Sequence, residues 1–361
     1  MTTTPPTEGD QGLSEVQPRQ RGRLSPWLWV CGAVLLMLVL NTGIGPVAIR
    51  PGEVIRILLS RLPFLDLQAD WPQTFETILF QIRLPHTLLM VLTGMALGGS
   101  GAAFQGLFRN PLADPYIIGV ASGAGLGAVV AIAIDWPVTW MGMAIVPAAA
   151  FVGGLLTVMI VYALARVGKS TPVTTLILAG VAVGTFTSAL TSLILLVSTD
   201  QIQRAVVWLL GGFSLGGWEP VIASLPYLII GLIFLMLLGR PLNVLQFGDE
   251  QALQLGLNVE RVKLLLVAAA SLVAAVAVSF SGIIGFVGLI VPHLIRLLWG
   301  TDYRRLIPLA TLGGGAVLLA SDTLARTLLA PRELPVGIIT SLLGAPFFLW
   351  LLRKARVEEA W

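Results

Sequence analysis

Ten blocks of apolar residues, each closed by a small knot of Arg, Pro, Gly or Asp, run the length of this chain. Each block holds about 20 residues, the length an α-helix needs to cross a ~30 Å hydrocarbon layer. Of the 361 residues 56% are hydrophobic and 11% charged, a ratio that a water-soluble domain of this length could not solvate. In lipid the backbone must pair with itself, and only helices or closed barrels do so; unbroken apolar runs select helices. The fold class is therefore an all-α polytopic membrane protein with about ten transmembrane helices in one bundle. The spans are expected near 27–45, 84–107, 116–134, 142–165, 173–198, 220–239, 264–281, 283–299, 306–325 and 336–352. Function must be sought in what crosses the bilayer.

Residues 1–25 are polar and bear Pro and Thr, and are expected to form a disordered cytoplasmic tail. They are not a signal peptide, because the apolar run after Arg23 is long enough to span and continues to about Gly45. One transmembrane domain follows over 26–356, and residues 357–361 form a short C-terminal tail. The single Cys31 excludes an intrachain disulfide and a cysteine metal cluster, and reads as a small apolar packing residue. A net charge of +3, with the basic residues scattered through loops, excludes nucleic acid as a partner. Those residues report topology: most of the 22 fall on the side of the N-terminal tail, so both termini are assigned to the cytoplasm.

Four of the arginines assigned outside, Arg50, Arg56, Arg61 and Arg83, share one Pro-bearing stretch, which reads as an ordered external loop. Residues 199–219 are expected to make an external half-helix whose Trp208 and Trp218 lie at the membrane interface. The internal segment 239–263 reads as two short helices broken at Gly256. Its Ala252, Leu253 and Leu255 beside Asp249, Glu250 and Gln254 form an apolar face turned to a partner. Glycines spaced by four, Gly94 with Gly98, Gly119 with Gly123 and Gly127, and Gly180 with Gly184, predict close helix packing.

Several chemistries are excluded. Gly168-Lys169-Ser170-Thr171 has the ending of a phosphate-binding loop, but Ala163 stands where the first glycine should be, so no amide cradle forms. Lys169 reads as a cytoplasmic anchor. His86 and His293 are the only histidines and cannot close a metal site; His293 is expected to be hydrogen-bonded within the bundle. Asp322 is the one embedded acid, with Arg326 its i,i+4 partner. An ion-coupled carrier would place several ionisable groups at midmembrane depth, so energy coupling must come from elsewhere. A membrane-embedded enzyme ranks last, since no acid–base pair, metal set or activated nucleophile is present.

In this order the chain reads RLPH from Arg83, SGAAFQGLFRNPLADPYIIGVASGAGLGA from Ser100, LILAGVAVG from Leu176 and WLLGGFS from Trp208. SGIIGFVGLIVPHLIRLLWGTDYRRLIP follows from Ser281 and ELPVGIITSLLGAPFFLWLL from Glu333. Together these resemble the permease subunits of type II ATP-binding-cassette (ABC) importers, which carry iron–siderophores, haem or cobalamin. The resemblance implies a non-enzymatic subunit in a bacterial cytoplasmic (inner) membrane. Its partners would be a second permease, identical or homologous, two cytoplasmic ATPases holding ATP and Mg, and an external substrate-binding protein. This chain itself would hold no cofactor.

The resemblance further implies that Gly248 to Val262 couples to the ATPase, with Gly248, Asp249, Ala252, Leu255, Gly256 and Val262 as contact positions. Asn110, Leu112, Val173 and Thr174 would narrow the cytoplasmic end of the pathway. Arg83, His86 and Arg326 would receive the acidic knobs of the binding protein, His86 standing where the family more often has arginine. The expected function is import by alternating access, an iron–siderophore being the favoured cargo. The alternative is an ion-coupled secondary transporter.

Overall fold

The computed structural model describes residues 25–45, 47, 49–61, 70–134, 140–198, 201–212 and 216–358. Residues 1–24 of the expected N-terminal tail, 359–361 of the C-terminal tail, and 62–69 of the Arg50–Arg83 loop lie outside the described residues. In chain order the helices are α1 (Pro26–Gly43), α2 (Pro51–Leu59), α3 (Gln73–Thr77) and α4 (Leu84–Leu107), then α5 (Val120–Ala133) and α6 (Trp140–Ala165). They continue with α7 (Val173–Val197), α8 (Ile202–Leu209), α9 (Glu219–Leu237), α10 (Gly239–Leu245) and α11 (Asp249–Gln254). The last four are α12 (Val259–Ser281), α13 (Val287–Trp299), α14 (Tyr303–Thr327) and α15 (Val336–Glu358).

Ten of these helices coincide with the ten apolar blocks. Seven are long and apolar enough to cross a membrane: α1, the continuous run Gln73–Leu107, α6, α7, α9, α12 and α14. The other three, α5, α13 and α15, are apolar but shorter. The second span starts earlier than expected, because α3 runs into α4 through a π-helical turn at Ile78–Arg83. In its spanning window 83% of the run Gln73–Leu107 is buried, against 17% for α7. α4 is thus the axis of the bundle and α7 lies at its edge.

Small residues set these positions. Gly94 and Gly98 on α4 face Gly314 and Ala310 on α14, and a Cβ at any of the three glycines would run into an opposing carbonyl oxygen. Gly123 and Gly127 on α5 meet Gly153 and Ala149 on α6 in the same way. With lipid as apolar as leucine, such close backbone approach is what holds spans together. The break between α12 and α13 leaves carbonyls without helical partners; Tyr116 closes one by donating its hydroxyl to Ile284 O at 2.9 Å.

Four expectations are corrected. The segment 239–263 is not a pair of helices meeting at Gly256. α10 continues from α9, α11 is a single six-residue helix, and the residues after Gly256 open the long α12. Trp208 is buried against α5 rather than lying at an interface, while Trp218 donates its indole N–H to Phe80 O at 2.9 Å. Cys31 is exposed on α1 rather than buried in packing. His293 keeps both ring nitrogens buried with no hydrogen-bond partner among the described residues.

Candidate functional site

α4 has 24 residues, about 36 Å at 1.5 Å per residue, and the candidate residues gather at its two ends. One end is that of Arg83, the other that of Arg109.

At the Arg83 end the problem to solve is the C-terminus of α1, whose last carbonyls have no intrahelical donor and little water to turn to. Two guanidinium groups solve it. Arg83 Nη1 donates to Thr42 O at 3.0 Å and Gly43 O at 2.8 Å, and its Nη2 donates to Val47 O. Arg326 donates to Asn41 O at 2.9 Å and Ile44 O at 3.4 Å, and its Nε to Asp322 Oδ2 at 2.9 Å. Cations at a helix C-terminus also complement its dipole.

Asp322, in turn, accepts from Asn41 Nδ2 at 2.8 Å and lies 3.0 Å from His86 Nε2. The remaining groups of Asn41 are taken by Thr87, Thr323 and Leu319 O at 2.7, 3.0 and 3.1 Å. The network ties α1, α4 and α14 into one unit.

Arg83 and Arg326, the docking arginines that the resemblance implies, are 5% and 7% exposed. Arg83 is sealed beneath carbonyls. His86 and Arg326 reach a cavity of about 180 Å³, shared with Met90, Asp322 and Glu333. The loop arginines are occupied as well. Arg56 pairs with Asp70 at 3.0 Å over the Trp71 ring, and Arg61 with Glu76 at 2.9 Å over the Phe80 ring.

At the Arg109 end, Asn110 and Leu112 form the turn after α4, where Leu112 N–H donates to Asn110 Oδ1 at 2.9 Å. Val173 and Thr174 begin α7 behind Pro172. Asn110 and Thr174 are both exposed. A cleft of about 590 Å³ opens beside Asn110, lined by Gln105, Arg109, Asn243, Phe247, Arg296 and Asp302 among others. Asp302 caps α14 through the Arg304 amide at 3.0 Å and accepts from Asn243 Nδ2 at 2.7 Å. The Asn243 bond, with the Arg304 amide and the Arg304 and Arg305 charges, holds its carboxyl below the ordinary carboxylate range.

The coupling candidates divide. Gly248 and Gly256 take φ of 109° and 84°, open only to glycine at little cost, and so isolate α11 between two breaks. Asp249 opens α11. Ala252 is buried against the bundle, a correction to the expectation that it belongs to an apolar face turned to a partner, and Val262 is buried as well. The outward apolar side chains are Phe247, Leu253 and Leu255.

Sequence reasoning missed three participants: Asn41, Arg109 and Lys263. An asparagine in the last turn of an otherwise apolar span was the available signal for the first. Arg109 and Lys263 had been counted only as topology markers.

Among the described residues, the buried ion pairs of this apolar helical bundle sit at its two ends, as befits a protein that spans a membrane. The chain belongs to the FecCD transport family, which it matches from residue 33 to residue 354. It is 49% identical over 292 residues to the cobalamin import system permease protein BtuC of Halobacterium salinarum, covering 81% of this chain and 78% of that one. To the hemin transport system permease protein HmuU of Yersinia pestis it is 42% identical over 286 residues, 78% and 84% of the two chains. Its fold is similar to that of a metal-chelate type ABC transporter solved in an inward-facing conformation. There the TM-score is 0.76 and the identity 29%, over 91% of this chain and 98% of that one. The chain is therefore an ABC importer permease, a multi-pass protein of the bacterial inner membrane, and the ion-coupled carrier is set aside.

Proposed function

We propose that this permease imports a metal chelate or corrinoid by alternating access, powered by ATP hydrolysed in separate subunits. The observation that carries the reading is the family match across residues 33–354, joined to relatives named for cobalamin and haemin transport. The Arg83 end faces outward and the Arg109 end inward, with both termini in the cytoplasm. Asn110 and Leu112, with Val173 and Thr174, form the cytoplasmic gate.

Two ATPases, which hold the ATP and Mg, dock against α11 through Phe247, Leu253 and Leu255. Their outward exposure supports this, and Leu255 at 68% is the most exposed large apolar side chain of the α10–α12 connection. A second permease, identical or homologous, covers the apolar face that α7 leaves open. An external binding protein docks at the Arg83 end, where His86 and Arg326 line a small cavity. Arg83 serves that surface only by holding the end of α1.

The cargo belongs to the class of metal chelates that includes iron–siderophores, haem and cobalamin. Purification from native membranes into nanodiscs tests the subunit reading. An ATPase should co-purify, and its hydrolysis should rise when the binding protein and one cargo are added. A chain that purifies alone and moves solute down an ion gradient would overturn it.

A further inference from the structure

Four segments distant in sequence meet at the Arg109 end through charged side chains. Asp249, the first residue of α11, accepts from Lys263 Nζ at 2.5 Å and from Arg109 Nη2 at 3.2 Å. Lys263, near the start of α12, also lies 3.6 Å from Glu260 Oε1 and donates to Thr171 O at 3.4 Å. Glu260 Oε2 accepts from the Thr171 amide at 3.0 Å. Both backbone groups of Thr171 are thus held by one acid and one base of α12. The Gly168–Thr171 segment, with no role as a phosphate loop, is a tight turn closed between Val167 and Ser170 that delivers Thr171 to this cluster.

Position gives the cluster its meaning. Arg109 immediately precedes Asn110 and Leu112; Thr171 precedes Pro172, Val173 and Thr174. Lys263 is buried, so its ammonium has given up water and depends on these partners.

Arg109 stands at φ 50° and ends α4 with amide bonds from Arg109 to Gly106 O at 3.2 Å and from Asn110 to Gln105 O at 3.1 Å. That helix ending normally carries glycine, since an L-residue there is strained. An arginine in that place is explained by what its side chain reaches. α11 is a short helix set between two positive-φ glycines, and Asp249 carries its ion pairs among the described residues.

We propose that Arg109, Asp249, Glu260 and Lys263 form a clasp that passes movement of α11 to both halves of the gate, with Asp249 as its pivot. The inference rests on the reading of α11 as the ATPase-facing element and of Asn110, Leu112, Val173 and Thr174 as the gate. A displacement of α11 pulls Arg109, and with it the turn carrying Asn110. The same displacement pulls Lys263 and Thr171, and with them the first turn of α7. These are positioning residues: none needs to touch the cargo.

The test uses the permease–ATPase complex in nanodiscs, in a Cys31→Ser background carrying Asn110→Cys or Thr174→Cys. The readout is the ratio of thiol-labelling rates with and without nucleotide. Asp249→Asn should lower that ratio about tenfold at both positions, within the ~5–150-fold range of coupling between sites, while the ATPase still co-purifies. Asp249→Glu should restore it. Arg109→Gly relieves the strained backbone and should abolish the response at Asn110→Cys alone, leaving that at Thr174→Cys intact. An unchanged ratio in Asp249→Asn overturns the clasp. If Asp249→Asn fails to assemble, equal responses at the two positions in Arg109→Gly overturn it. Labelling that ignores nucleotide in the parent overturns the gate reading itself, and the clasp with it.

Discussion

Replacing Asp322 by asparagine keeps the size of the side chain and removes the carboxylate that lies 2.9 Å from Arg326 and 3.0 Å from His86. In the folded chain Asp322 and Arg326 have side chains only 5% and 8% exposed, 2.9 Å apart. The change leaves a guanidinium with almost no water and only neutral acceptors, the carbonyls of Asn41 and Ile44 and the new side-chain amide oxygen. Removing one partner of a buried pair costs ~3–5 kcal/mol. The surviving carbonyl bonds place the expected loss near the lower figure, about 3 kcal/mol.

That loss falls mainly on α1, since 22% of its spanning window is buried and α14 is its principal neighbour. At ~2 °C per kcal/mol for a large domain, the apparent melting temperature in detergent should drop by about 6 °C. Monodisperse protein remaining after stepwise heating measures it. Exposed Cys31 on α1 gives a second readout, because a loosened helix changes its labelling rate. If Asp322→Asn melts within ~1 °C of the parent, the network does not hold α1 and the buried-cap explanation of Arg83 and Arg326 fails.

Gly314→Leu should yield little monodisperse protein, because its side chain would occupy the space of the Gly94 carbonyl, an overpacking that costs ~3 kcal/mol or more. Gly184→Ala, whose new methyl meets only Ser122 Oγ at 3.4 Å, should behave as the parent. Asp302→Ala removes the cap of α14 and should cost about 1 kcal/mol. The folded carboxyl of Asp302 titrates below its ordinary range, so its contribution is fully present above ~4 and fades as pH falls through the depressed value. The melting difference between parent and Asp302→Ala should shrink accordingly in acid. Lys169→Met should leave nucleotide binding and hydrolysis by the assembled complex unchanged, as Lys169 sits in an exposed turn.

The bundle was legible because lipid admits so few solutions. Block length marked ten spans, and glycine spacing marked α4 and α5 as closely packed helices, but their partners α14 and α6 are set by the fold. The ends were harder to read. A charge near a span end looks alike in sequence whether it points to water, as Lys169 does, or is buried under carbonyls, as Arg83 is. Only the fold brings α1 against α14 and so creates orphan carbonyls for Arg83 and Arg326 to meet. The i,i+4 pair of Asp322 and Arg326 was local and therefore visible. Asn41 and Thr87, distant in sequence from that pair, were not. Ala252 was assigned outward by helical periodicity, but six residues are too few for periodicity to choose a face, and tertiary packing turned it inward. In the clasp, Arg109 meets Asp249 and Thr171 meets Glu260 and Lys263 across long sequence separations, and only Glu260 and Lys263, an i,i+3 pair, are local.

The central claim is that transport through this chain is driven by ATP in partner subunits rather than by an ion gradient. Proteoliposomes containing the permease with its co-purified ATPase and binding protein test it most directly. Uptake of cobalamin, haemin and a ferric siderophore is followed with ATP, without ATP, and with a protonophore. The account predicts uptake of one of these chelates that requires ATP and the binding protein and is indifferent to the protonophore. Uptake by the permease alone, sustained without ATP and abolished by the protonophore, would contradict it.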